Sequence, residues 1–154
     1  MTMRLAAVLL CLAAPAHAEV NISRVDACVA QSSAQKRPPT DCIDAALAEC
    51  LAVPADTPAV AGLCFSDAKE AFSAAISDGM QTLRASAPDQ IAAIAGIEVK
   101  YDLLANLLQC DRMEDLAKLG PAPAQEIGLQ KMRCEATAAG LTYMRLVWRA
   151  RTLP

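Results

Sequence analysis

The chain has 154 residues, a formal net charge of −3 at pH 7, and 55% hydrophobic residues, yet only 3% aromatic ones. Such a chain is long enough to bury one sizeable core, and it lacks the excess of Lys and Arg that a nucleic-acid surface requires. Seven cysteines against a single histidine direct the reading toward thiol chemistry and away from imidazole chemistry.

Residues 1–18 read as a secretory signal. Arg4 supplies a positive charge, Leu5 to Ala14 is an uninterrupted apolar run, and Ala16-His17-Ala18 is a small-x-small cleavage pattern. The run is about half the length that a membrane span needs, and Leu10 before Cys11 is too bulky for a lipobox. The expected mature domain is 19–154, without a membrane span and delivered to the periplasm or secreted. Cleavage after Ala18 removes Cys11 and His17. Six cysteines remain, Cys28, Cys42, Cys50, Cys64, Cys110 and Cys134, an even set that reads as a disulfide framework in an exported chain. With no histidine left and no close Cys pair, neither a metal site nor a cofactor is expected.

Five helices follow in chain order. The first spans 21–34, capped by Asn21 or Ser23, with Val25 and Val29 inward, and the Lys36-Arg37-Pro38-Pro39 run ends it. Thr40 caps a second through about Ala52, which holds the stretch "DCIDAALAEC". A third opens at Thr57-Pro58, and its stripe of Phe65, Phe72, Ile76, Met80 and Leu83 is spaced 7, 4, 4 and 3. After Ser86-Ala87-Pro88, a fourth helix of about twenty residues presents Ile91, Ile94, Ile97, Tyr101, Leu104 and Leu108 as its apolar face, widened by Leu103 and Leu107. Gly120-Pro121-Ala122-Pro123 is a loop. The last helix runs from Ala124 to about Arg149, with Ile127, Met132, Ala136, Ala139, Tyr143, Leu146 and Val147 inward. No segment reads as a strand, so the expected fold is an all-α, disulfide-stapled bundle.

On one helix, Cys42 and Cys50 lie about 12 Å apart along the axis and about 80° apart around it, too far to bond each other. Hairpin symmetry favours Cys28–Cys50, centred on residue 39, and Cys42–Cys64, centred on residue 53, each midpoint falling at a proline turn. The sequential rival, Cys28–Cys42 with Cys50–Cys64, has equal thirteen-residue gaps. Cys110 and Cys134 remain for each other across the Gly-Pro loop.

Charge divides the chain. Residues 131–154 hold five basic residues and one acid, whereas 19–130 hold eight basic and sixteen acidic ones. An acidic body suits a cationic protein partner. The candidate contacts are Asp41, Asp44, Glu49 and Asp56 around the second helix. At the other end, Trp148, Arg149 and Arg151, with Arg145 nearby, form an arginine-aromatic cluster of the kind enriched at interfaces; the alternative is that Trp148 closes the bundle while the arginines face the helix dipole. Asp111, Glu114 and Asp115 are the one carboxylate group that acid-base chemistry could use, placed here in a turn after Cys110. Without a nucleophile beside a base, no enzyme is expected.

The "DCIDAALAEC" pair, the "CFSDAKEAFSAAI" helix start, the cysteine closing "YDLLANLLQC" and the terminal "CEATAAGLTYMRL" resemble the LprI-type lysozyme-inhibitor-like family of exported bacterial proteins, over about Cys28 to Leu146. Where that family typically carries Trp-Asp and Leu-Asn, this chain has Phe72-Ser73 and Ile76-Ser77, and Tyr101 and Ala105-Asn106-Leu107 stand where an aromatic-Arg-Asp signature is typical. The resemblance implies binding without catalysis: an envelope protein that occludes a cationic lysozyme-like hydrolase. The alternative is a structural or assembly module that docks on an envelope protein through its basic C-terminal helix.

Overall fold

Asn21 caps the first helix as its position suggests, its Oδ1 accepting a 3.0 Å hydrogen bond from the Arg24 N–H and so opening α1 (Ile22–Ala34). The structure, a computed structural model, describes residues 20–152. The signal segment and its cleavage site lie outside the described residues. Val25 and Val29 are buried on the inner face of α1. Its C-terminus closes as a Schellman motif: Lys36 sits at φ 53°, the Arg37 N–H donates to the Ser32 carbonyl at 2.9 Å, and the Lys36 N–H donates to the Ser33 carbonyl at 3.0 Å. That left-handed residue turns the chain back along α1 before the two prolines.

What read as one second helix is two short ones, α2 (Asp41–Ala46) and α3 (Ala48–Leu51), separated at Leu47 with φ −97° and ψ 5°. The break is a kink, because the Leu47 N–H still donates to Ile43 O at 3.0 Å and Leu47 O still accepts from the Leu51 N–H at 2.9 Å. It carries the buried Leu47 side chain into the core. Neither threonine cap forms. Thr40 makes no side-chain cap bond, and the Thr57 hydroxyl instead donates to Pro54 O at 2.9 Å, leaving Pro58 to begin α4 (Pro58–Ser86).

The disulfides are Cys28–Cys42, Cys50–Cys64 and Cys110–Cys134, with Cα separations of 5.9, 5.5 and 5.7 Å. The symmetric pairing Cys28–Cys50 and Cys42–Cys64 is therefore replaced by its sequential rival. Hairpin symmetry assumes that two helices lie alongside each other over equal lengths from a central turn. Here Cys42 is the second residue of a six-residue helix, while Cys28 lies in the middle of α1. The Schellman turn brings the start of α2 back over the second half of α1, so the Cys42 sulfur also lies 3.7 Å from the Ser32 hydroxyl, one turn beyond Cys28.

Three long helices follow: α4, α5 (Asp89–Ala117) and α6 (Ala124–Thr152). The α4 stripe of Phe65, Phe72, Ile76, Met80 and Leu83 is buried throughout, as its period requires. On α6, Ile127, Ala136, Ala139, Tyr143 and Leu146 are buried and Met132 and Val147 pack against the core. Burial there extends around the helix, since Thr142, Tyr143 and Met144 are consecutive and all buried. The cause is position: α6 packs against α4, α5, α1 and α2 and is the central rod of an all-α bundle.

The fourth expected helix departs most from its reading. It is 29 residues long and takes in Asp111, Glu114 and Asp115. Its inner face is Ala92, Ala95, Val99, Leu103 and Cys110, with Gly96 against the Met80 methyl. The larger residues Ile94, Ile97, Tyr101, Leu104 and Leu108 point outward, between 45% and 62% exposed. At about 100° per residue, the two sets lie on nearly opposite sides of the helix. Small residues let α5 approach α6 closely, and the chain uses them there.

Candidate functional site

The four acidic candidates sit on one corner of the bundle. Asp41 and Asp44 occupy α2, Glu49 occupies α3, and Asp56 lies in the turn before α4; all four are exposed. Two disulfides hold the corner, Cys42 to the middle of α1 and Cys50 to the second turn of α4. Among the described residues, none of the four makes an ion pair or a side-chain hydrogen bond. The backbone that carries them is therefore anchored while their carboxylates stay available to solvent or to a partner.

The corner is not a single carboxylate cluster. Glu49 lines a cleft of about 260 Å³ between α1 and the two short helices, together with Val20, Arg24, Cys28, Cys42 and Cys50. Asp44 opens instead on a shallow groove against α5 and α6, beside Asn106, Gln109 and Arg133. Among the described residues no group of His, Cys, Asp or Glu is arranged to hold a metal ion. The arrangement offers an exposed acidic corner with a cleft on one side and a shallow groove on the other.

Of the C-terminal candidates, Arg145, Trp148 and Arg149 are bound into the fold. Arg149 Nη2 lies 3.1 Å from Glu98 Oε1, and Arg145 pairs with Asp102, both acids being on α5. Trp148 is half-buried against the core. Arg151 is exposed at the end of α6, where a cation suits the helix dipole.

Asp111, Glu114 and Asp115 are tied up in a like manner. Lys131 Nζ lies 2.5 Å from Glu114 Oε2 and 3.0 Å from Asp111 Oδ1, and Lys118 Nζ lies 2.8 Å from Glu114 Oε1. Hydrogen bonds from Lys118 and then Lys131 hold the Glu114 carboxyl below its usual range, and the Glu114 bond in turn raises the Lys131 ammonium. A carboxylate stabilised in its charged form is a poor proton acceptor, so Glu114, with Asp111, serves as an ionic clasp to Lys131 of α6 beside the Cys110–Cys134 bridge, while Asp115 pairs only with Lys118 at the end of its own helix.

One polar contact carries no sequence signal. The Tyr143 hydroxyl donates to Asp26 Oδ1 at 2.7 Å, joining α6 to α1 across 117 positions. Burial and then the Asp26 bond raise the phenol above its ordinary range, which keeps it a donor. The outward seam of α5 did have a signal, its strict three-four spacing, which fits a second helix as well as it fits a core.

The chain matches no protein-family model, no curated protein and no solved structure. Three disulfides in one domain belong to a chain that folds in an oxidising, extracytoplasmic environment. Among the described residues no helix is long and apolar enough to cross a membrane.

Proposed function

We propose that this is an exported, non-enzymatic binding protein, a divergent member of the LprI-type lysozyme-inhibitor-like family, which docks a cationic lysozyme-like hydrolase on its α2–α3 corner. Residues 1–18 act as the signal that delivers it to the periplasm or beyond. The observation that carries the reading is the pairing of rigidity with availability. Two disulfides anchor a short acidic segment, and its four carboxylates form no ion pair among the described residues. A preorganised surface loses little entropy on binding, and its charge steers a basic partner. Engagement of Arg145 and Arg149 with α5 counts against the alternative of an assembly module docking through the C-terminal helix.

The test is lysozyme activity on cell-wall substrate with the exported, oxidised protein titrated in. Stoichiometric inhibition is expected, to be lost on reduction and weakened about 10-fold or more by the triple variant Asp41→Lys, Asp44→Lys, Glu49→Lys. Absence of inhibition against several lysozymes, by protein with native helicity, rejects the reading.

A further inference from the structure

We propose that the outward face of α5 is a self-association surface, on which two copies of this chain pair through Ile94, Ile97, Tyr101, Leu104 and Leu108. Each is between 45% and 62% exposed in the single chain. Their spacings are 3, 4, 3 and 4, the alternation by which apolar residues form a coiled-coil seam instead of the broader stripe of a packed globular helix. The opposite, inner face of α5 is already packed on the bundle through Ala92, Ala95, Val99, Leu103 and Cys110, which leaves the outer face without a partner among the described residues.

Three features point to a second copy as the occupant. A seam of this pitch is matched by another of equal pitch, so that knobs meet holes along its whole length, and an identical chain supplies one by symmetry. The area is substantial: at roughly 200 Å² for a large side chain, these five expose on the order of 500 Å². That is at the upper end of the patch of about 300–600 Å² that monomers typically show, a size that is often functional. Flanking Ala93, Ala105 and the Lys100 stem carry it toward the roughly 800 Å² per partner of a stable interface. Finally, the acids along one border do not repel a copy of themselves, because Glu98 and Asp102 are paired with Arg149 and Arg145 of their own chain. Tyr101 is the midpoint of the seam, so an isologous two-fold pairing sets Tyr101 beside its symmetry mate.

The test is sedimentation equilibrium of the exported, oxidised protein from about 1 to 100 µM, a range that brackets a micromolar dissociation constant. A dimer is expected, and Tyr101→Lys with Leu104→Glu is expected to weaken it at least 10-fold while helicity and thermal midpoint hold, since both side chains are exposed in the monomer. Val60→Glu with Leu63→Glu, on the exposed start of α4, serves as control and should leave the dimer intact. A monomer at every concentration, or a dimer broken by the α4 pair and not by the α5 pair, overturns the proposal. So does a monomer whose lysozyme binding is lost in the α5 variant, which would assign the face to that partner.

Discussion

Single residues decide how closely these helices approach. A Cβ on Gly140 would run into the Ile43 Cδ1 methyl and come within 2.9 Å of the Phe72 ring, neither of which has room to retreat in the core. Although alanine is about 1 kcal/mol better than glycine in a helix, Gly140→Ala should destabilise by about 1–3 kcal/mol through overpacking, read by urea unfolding. Gly128 faces nothing within 4 Å, so Gly128→Ala should show the propensity gain alone, about 0.5–1 kcal/mol. Thr142 is 1% exposed and its Oγ1 has no partner among the described residues. Thr142→Val removes that unsatisfied hydroxyl at nearly constant volume and should stabilise by about 1 kcal/mol in the same titration. An unchanged midpoint would mean that the hydroxyl finds a partner in solution.

Elements are joined by two kinds of tie, and each has its own signature. The ionic clasp between α5 and α6 depends on Glu114 staying charged. Its folded-state carboxyl is lowered from the ordinary value of 4.5, so the stabilisation is complete above that value and is lost as pH falls through the lower folded one. Thermal midpoints measured downward from pH 6 should fall below about pH 4.5, and Glu114→Gln should flatten that acid limb. The covalent ties at α2–α3 can be read chemically. Cleavage at Lys and Arg combined with cleavage after Glu49 should release the Cys28 peptide joined only to the Cys42 peptide, and a separate peptide holding Cys50 and Cys64. One three-peptide species would instead signal the symmetric pairing. The kink at Leu47 had no legible signal, because alanine, leucine and isoleucine through Ile43–Leu51 all favour a continuous helix. What ends it is burial of Leu47 together with two bridges that pull the segment toward different helices.

At the scale of the molecule, the bundle is organised around α6, and the bridges hold its periphery. Each of the first two closes a separation of 14 residues and the third one of 24, so each should contribute about 3 kcal/mol by restricting the unfolded chain. Replacing Cys50 and Cys64 together by Ser should lower stability by about that amount in urea unfolding and loosen the acidic corner more than the long helices. The order of the helices, the stripe of α4 and the inward set of α6 were legible in the sequence, because a helix packed on one side writes its burial as a 3.6-residue period. The same rule misdirected the reading of α5, where the strongest apolar period marks the outer face. Periodicity reports which residues share a side; it does not report which side faces inward.

By itself the sequence determined an all-α, cysteine-framed bundle, since helix propensity, proline breaks and apolar spacing are local properties that any compact fold of this chain must respect. The third bridge was determined as well, once the other four cysteines had only each other. Tertiary structure alone decided the pairing of those four, the kink between α2 and α3, the capture of Arg145 and Arg149 by α5, and the outward turn of the α5 seam. Each depends on how close two helices come and at what angle, and that is set by the volumes of side chains far apart in the sequence, such as Gly140 against Ile43 and Phe72.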